Sequence, residues 1–149
     1  MIPQGAAASK QHPHSVIVQT IGGSETRSLT DSTNISDADL KTAIEDAITQ
    51  KEVFARIVQG SGADYELSVR VIYLARPVYG FTLTVDMETI WTLTKISDNS
   101  IVMRKAIKSA GTATGGDSLI GLVRVRVAVE NAARGNIDQG LKAITELEI

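Results

Sequence analysis

Apolar and polar positions change their spacing several times along the chain, and each change marks an element. Val16, Ile17 and Val18 form a short apolar run that extends toward Ile21 and is stopped by Gly22 and Gly23, which predicts a buried strand. A polar stretch rich in Ser and Thr follows. The order Ile35, Ser36, Asp37, Ala38, Asp39, Leu40 is then that of a helix start, with Ser36 as N-cap, two carboxylates in the first turn and Ile35 placed to staple onto Leu40. Leu40, Ala43, Ile44, Ala47 and Ile48 continue it as one stripe at helical spacing.

Beyond the helix the spacing falls to two. Residues 53–58 form a short β-prone run that ends in the loop 59–64, which contains Gly60 and Gly62. From Tyr65 onward, Tyr65, Leu67, Val69, Val71 and Tyr73 alternate with Glu66, Ser68 and Arg70. A connection with Pro77 and Gly80 leads to the cleanest alternation in the chain. Phe81, Leu83, Val85, Met87, Trp91 and Leu93 share one face there, opposite Thr82, Thr84, Asp86, Glu88, Thr92 and Thr94. Ser97, Asp98, Asn99 and Ser100 supply a tight turn, and Ile101, Met103 and Ile107 belong to the returning strand of a long hairpin. The glycines of residues 111–116 are expected to end that strand, with Asp117 or Ser118 capping the next element. Val123, Val125 and Val127 alternate locally like a strand. Over a longer window Leu122, Val125, Val129, Ala132, Ala133, Ile137, Leu141, Ile144 and Leu147 recur at three- and four-residue steps, which favours a helix with a possible break at Gly135.

The predicted order is β-α-β-β-β-β-α. Long strands with one apolar face and two helices with one apolar stripe each assemble most economically as an α+β two-layer sandwich. Both helices then lie on one face of an antiparallel or mixed sheet of about five strands, leaving the Thr-rich, acidic face wet. Residues 1–14, small and polar with Pro3 and Pro13, read as a flexible leader, and residues 15–149 as one domain.

Composition narrows the function. With 15 Lys and Arg against 17 Asp and Glu, a net charge of −2 gives no electrostatic footprint for nucleic acid. The chain has no Cys, which removes a disulfide scaffold, a thiol nucleophile and a Cys-ligated metal from its chemistry. No apolar run reaches the roughly 20 residues of a spanning helix. His12 and His14, two residues apart, could touch one metal ion, but no fixed carboxylate or thiol stands beside them in sequence, and no cofactor is expected. Asp86 and Glu88 share a strand face and could act as an acid–base pair only in a cleft; on an open face they are solvated carboxylates. The glycines at 60 and 62 and those at 111–116 are read as turns, since no Lys-Ser or Lys-Thr follows Gly116 as a phosphate loop requires. Arg126, Glu130 and Arg134, four residues apart, form a candidate ion-pair ladder on the last helix. The connection bearing Arg76, Pro77, Val78 and Tyr79 is the candidate partner-binding site, because Arg and Tyr are the residue types that anchor interfaces, although Val78 and Tyr79 suit a fold over the edge of the core better.

The capped helix of residues 35–48, the short strand at 53–57, the run Gly62, Ala63, Asp64, Tyr65, Glu66, Leu67 entering a long strand, and the hairpin from Trp91, Thr92 and Leu93 to Met103 together resemble small Gram-negative envelope lipoproteins and periplasmic modules. The families concerned are the ABC-type transport auxiliary lipoproteins, the LptE-like fold and the TolB amino-terminal domain with its lipoprotein relatives. The likeness covers residues 35–107. It departs from those families in lacking the lipidated Cys and in having Gln50, Lys51, Glu52, Val53 and Phe54 where a Ser-Gly-Arg-Phe-type segment is frequent. The resemblance implies a periplasmic or outer-membrane-anchored accessory protein, with a secretory signal and lipid anchor preceding Met1. Its implied work is non-catalytic docking of a protein or envelope component in transport or assembly. Two other classes stay open: a small-molecule-binding domain or small enzyme with a pocket between helices and sheet, and a self-assembling structural subunit.

Overall fold

The computed structural model of the chain describes residues 12–22, 36–74, 82–114 and 121–149. Five strands and two helices follow the order β1 (His12–Ile21), α1 (Asp37–Lys51), β2 (Phe54–Ile57), β3 (Tyr65–Leu74), β4 (Thr82–Lys95), β5 (Ser100–Thr114) and α2 (Gly121–Thr145). The sheet is open and mixed, with spatial order β2-β1-β3-β4-β5. β1 runs parallel to both its neighbours, while β3, β4 and β5 are antiparallel in sequence. The α+β order and the placing of both helices on one apolar core agree with the alternation of the strands. Among the described residues no helix is long and apolar enough to cross a membrane.

α1 begins where its chemistry places it. Ser36 accepts a hydrogen bond from the Asp39 amide at 3.0 Å, and the helix ends at Glu52 in a left-handed conformation whose N–H reaches back to the last turn. Leu40, Ile44 and Ile48 are its fully buried residues, each contributing about 1.5–3 kcal/mol of apolar burial against β1 and β2. The chain then does something unusual. β2 pairs with the first half of β1, as far as Val16 opposite Ile57, and β3 pairs with the second half on the other side, starting with Val16 opposite Tyr65. The loop between them therefore steps across β1, turning through Gly60 (φ +85°) and Gly62 (φ +90°), conformations that favour glycine.

Three expectations need correction. The supposed leader ends earlier than residue 14, because β1 already starts at His12, whose side chain is fully buried; residues 1–11 lie outside the described residues. Tyr73 does not share the core face. A register shift between Val71 and Tyr73 inverts the alternation, so Leu74 takes the inner place while Tyr73, opposite Glu88, is 54% exposed on the outer face. Finally, Gly111 does not end β5, which continues to Thr114. The residue is glycine because α2 lies directly on it: a Cβ there would sit 2.1 Å from the Ala128 carbonyl oxygen and 2.2 Å from the Ala132 nitrogen.

α2 is continuous through Gly135 and buries Val125, Ala128, Val129, Ala132, Ala133, Ile137, Leu141 and Ile144. Its contacts place it diagonally over the sheet. Residues 128–132 lie on Gly111 of β5, Gly140 on Trp91 of β4, and Ile144 on His12 of β1.

Candidate functional site

The connection carrying Arg76, Pro77, Val78 and Tyr79 lies outside the described residues, as do Phe81 and the candidate caps Asp117 and Ser118. The described parts on either side of that connection are the end of β3 and the start of β4. There the outer face of the sheet forms an open cleft of about 470 Å³ lined by Tyr73, Asp86, Met87, Glu88, Lys108, Ser109 and Ala110. Strand register explains the grouping. Tyr73 of β3, Glu88 of β4 and Lys108 of β5 stand in one cross-strand row, and Asp86 faces Ala110 in another, where the small residue leaves room. Among the described residues no ion pair within 4 Å joins Glu88 to Lys108 despite the direct pairing. The cleft thus offers an aromatic ring, two carboxylates and an ammonium to a ligand or partner, on the face away from the helices.

The inner face holds a different kind of polar group. Thr89 occupies the one polar place in the apolar stripe of β4, and its hydroxyl donates to the Oδ1 of Asn136 at 2.6 Å. The indole Nε1 of Trp91 donates to the same oxygen at 2.9 Å and to Thr89 at 3.0 Å, while the Asn136 amide donates to the Ile107 carbonyl at 3.2 Å. These groups are buried and mutually satisfied, so they set the position of α2 on the sheet rather than meet a ligand.

The two histidines part company. His12 points into the core, where Nε2 lies 2.7 Å from the Ile144 carbonyl. A carbonyl only accepts, so Nε2 carries the proton; Nδ1 is buried with no hydrogen-bond partner among the described residues. His14, beyond the register shift that separates His12 from Ser15, stands over the Tyr65 ring and 3.9 Å from Asp64. The metal pairing considered from their spacing therefore does not form, and among the described residues no group of three His, Asp or Glu converges.

Asp64 marks the point where the chain crosses β1. Its carboxylate accepts the Ser15 N–H at 3.0 Å and the Ser15 hydroxyl at 3.3 Å, and its own N–H donates to the Ser15 hydroxyl at 2.9 Å. The Ser15 backbone bond above all, then its hydroxyl and the nearby His14 and Arg56, hold the Asp64 carboxyl below the usual carboxylate range, against a smaller opposing cost of desolvation.

On α2 the candidate ladder is not formed. Arg126, Glu130 and Arg134 are exposed without an ion pair between them, and Arg134 instead donates to Asn131 at 3.0 Å. An ion pair does form elsewhere on this helix, between Asp138 and Lys51 of α1 at 3.4 Å, and two amides tie it to the sheet edge. Asn131 donates to the Thr112 carbonyl and Gln139 to the Lys108 carbonyl, which stitches α2 to the outermost long strand.

No family model matches the chain, and no curated protein matches it. Solved structures do. A candidate lipoprotein from Caulobacter crescentus is similar at 17% identity and TM-score 0.59, covering 86% of this chain and 87% of its own. A Xanthomonas campestris protein of the DUF330 family is similar at 14% identity and TM-score 0.63, over 93% and 88%. The dodecameric PelC of Paraburkholderia phytofirmans is similar at 16% identity and TM-score 0.56, over 93% and 91%. At such identities the likeness is one of fold.

Proposed function

We propose that the chain is a non-catalytic accessory protein of the cell envelope, lipid-anchored in its native form, that docks a protein or another envelope component in transport or assembly. The observation that carries this reading is the fold, an open mixed sheet with one face under two helices and the other without a helix among the described residues, similar to a candidate lipoprotein over 86% of the chain. Kinship with the ABC-type auxiliary lipoproteins, the LptE-like proteins or the TolB amino-terminal domain is the finer form of the same proposal. The proposed docking surface includes Arg76, Pro77, Val78 and Tyr79, which lie in the sequence between β3 and β4. Fractionation of the native host, with the full gene product tagged at its C-terminus and labelled with radioactive palmitate, tests the compartment and the anchor. A labelled protein in the membrane fraction is expected; an unlabelled protein in the cytosol overturns the reading.

Self-assembly is a second reading, favoured by the dodecameric state of PelC among the similar structures. Light scattering at rising concentration reads it directly, and a monomer at the highest concentration removes it.

A further inference from the structure

The diagonal course of α2 leaves the two halves of β5 in different states. Along the half near Thr114, the helix lies on Gly111, the Ser109 hydroxyl donates to the Ala132 carbonyl, and the amides of Asn136, Gln139 and Asn131 reach the carbonyls of Ile107, Lys108 and Thr112. By the level of Trp91 the helix has moved over β4, and it ends over β1. Residues 100–106 therefore form the outermost strand of the sheet with neither a strand nor the helix beside them among the described residues. The carbonyls of Lys108 and Thr112 that take side-chain bonds are four residues apart. By the alternation of an antiparallel strand, the main-chain groups of Arg104 and Ala106 point the same way, away from β4. That is a template for one more strand.

Side chains specify which strand it takes. On the outer face the uncovered segment presents Ile101, 56% exposed, then Arg104 and, further on, Lys108; on the inner face it presents the half-buried Met103 and the exposed Lys105. Arg104 stands opposite Thr92 and Lys105 opposite Trp91, so neither faces a carboxylate on β4, and none of the three cations is in an ion pair among the described residues. A chain of net charge −2 thus gathers three cations within five residues of one open edge, of which only Lys108 stands opposite a carboxylate, Glu88.

We propose that residues 100–106 of β5 bind, by strand addition, an extended segment of another protein that alternates acidic and apolar residues, its acids set against Arg104 and Lys108 and its apolar groups against Met103. A second copy of this chain fits poorly. Antiparallel β5–β5 pairing centred on Arg104 would set that residue against its own copy, pairing centred on Lys105 would do the same for the lysine, and the other edge strand, β2, is four residues long and carries Arg56. Residues 1–11 contain Lys10 and no acid. The C-terminal Glu146, Leu147, Glu148 and Ile149 have the right alternation, but Leu147 and Ile149 pack against their own core. Among the described residues no segment of this chain is left to fill the edge, and the occupant is assigned to a different chain. The inference deepens the docking half of the reading above and is independent of where the protein resides.

The test is a titration of the purified, isotopically labelled full chain with the peptide Thr-Glu-Leu-Glu-Ile-Glu-Thr, followed by amide NMR and hydrogen exchange. Shifts and slowed exchange centred on Arg104 and Ala106 are expected, with affinity falling about tenfold between 50 and 500 mM salt as the charges are screened. The double variant Arg104→Glu, Lys108→Glu, altered only at exposed positions, should lose the acidic peptide and take up Thr-Lys-Leu-Lys-Ile-Lys-Thr instead. No shift at millimolar peptide, shifts confined to another surface, or binding to phosphatidylglycerol vesicles with the peptide ignored would each overturn the proposal. A cytosolic protein that still binds the peptide would overturn only the envelope reading.

Discussion

Two glycines five residues apart on α2 should respond to the same substitution with opposite signs. At Gly135 an added Cβ would meet only the Ser109 Cβ, at 3.8 Å, an ordinary contact. Gly135→Ala therefore removes backbone entropy from the unfolded chain at no steric cost and should stabilise the protein by about 0.5–1 kcal/mol. At Gly140 the same Cβ would lie 2.5 Å from Trp91 Cε2 and 2.6 Å from Cδ2 and Cζ2, roughly 1 Å inside normal carbon contact. The ring cannot slide away, because it is fully buried and its Nε1 is held by Thr89 and Asn136. Overpacking against a ring held in place costs about 2–3 kcal/mol, against about 1 kcal/mol regained from helix propensity, so Gly140→Ala should destabilise by about 1–2 kcal/mol. Urea unfolding followed by circular dichroism reads both. With a slope of about 1–2 kcal/mol per molar, the Gly140→Ala midpoint should fall by about 1 M and that of Gly135→Ala should rise by about half as much, at unchanged slope. A Gly140→Ala midpoint that rises together with that of Gly135→Ala would refute the placement of α2 on Trp91.

Further outcomes rest on other contacts. Asn136→Ala leaves Trp91 Nε1 and the Ile107 carbonyl short of partners in the core and should cost about 1–3 kcal/mol in the same urea assay, with the larger end expected if no water enters. Asp64 has its carboxyl lowered in the folded state, so the stability it adds is complete above the ordinary carboxylate range and is lost as the pH falls through the lowered value; Asp64→Asn should flatten that part of an acid-unfolding curve. Ser36→Ala removes the N-cap bond of α1 and should cost about 1 kcal/mol by thermal melt. Tyr73→Ser, on the exposed face of the cleft, should change stability by no more than about 0.5 kcal/mol while altering whatever binds there, as calorimetry would separate.

The elements that could be read in advance are those whose information is local. Ser36 and the stripe from Leu40 to Ile48 define α1 because cap and period lie within one segment. The alternation of β4 is equally plain, down to Trp91 and Leu93 on the buried face. Misreadings arise where a distant element decides. The fate of Tyr73 depends on a register shift against β4, and that of Gly111 on a helix that begins ten residues later. His12 reads as part of a tail because its partners, Phe54 and Ile144, lie 42 and 132 positions away. Of the candidate site, the position of Arg76, Pro77, Val78 and Tyr79 between two long strands is legible. The uncovered half of β5 is not: Arg104, Lys105 and Lys108 are visible in the chain, but only the diagonal of α2 shows that no described strand or helix lies beside the first two.

The bond between His12 and Ile144 also has a consequence for the order of events in synthesis. All five strands leave the ribosome before α2 does, and until that helix arrives Trp91, Leu93 and Met87 have no cover from it. A nascent chain that stops short of Gly121 can form the β4–β5 hairpin, whose contacts are local, yet its sheet keeps much of its apolar face bare. Closure waits for the end of α2 to reach β1, a loop of high entropic cost. The core is therefore completed only once the chain through Ile144 is free to fold.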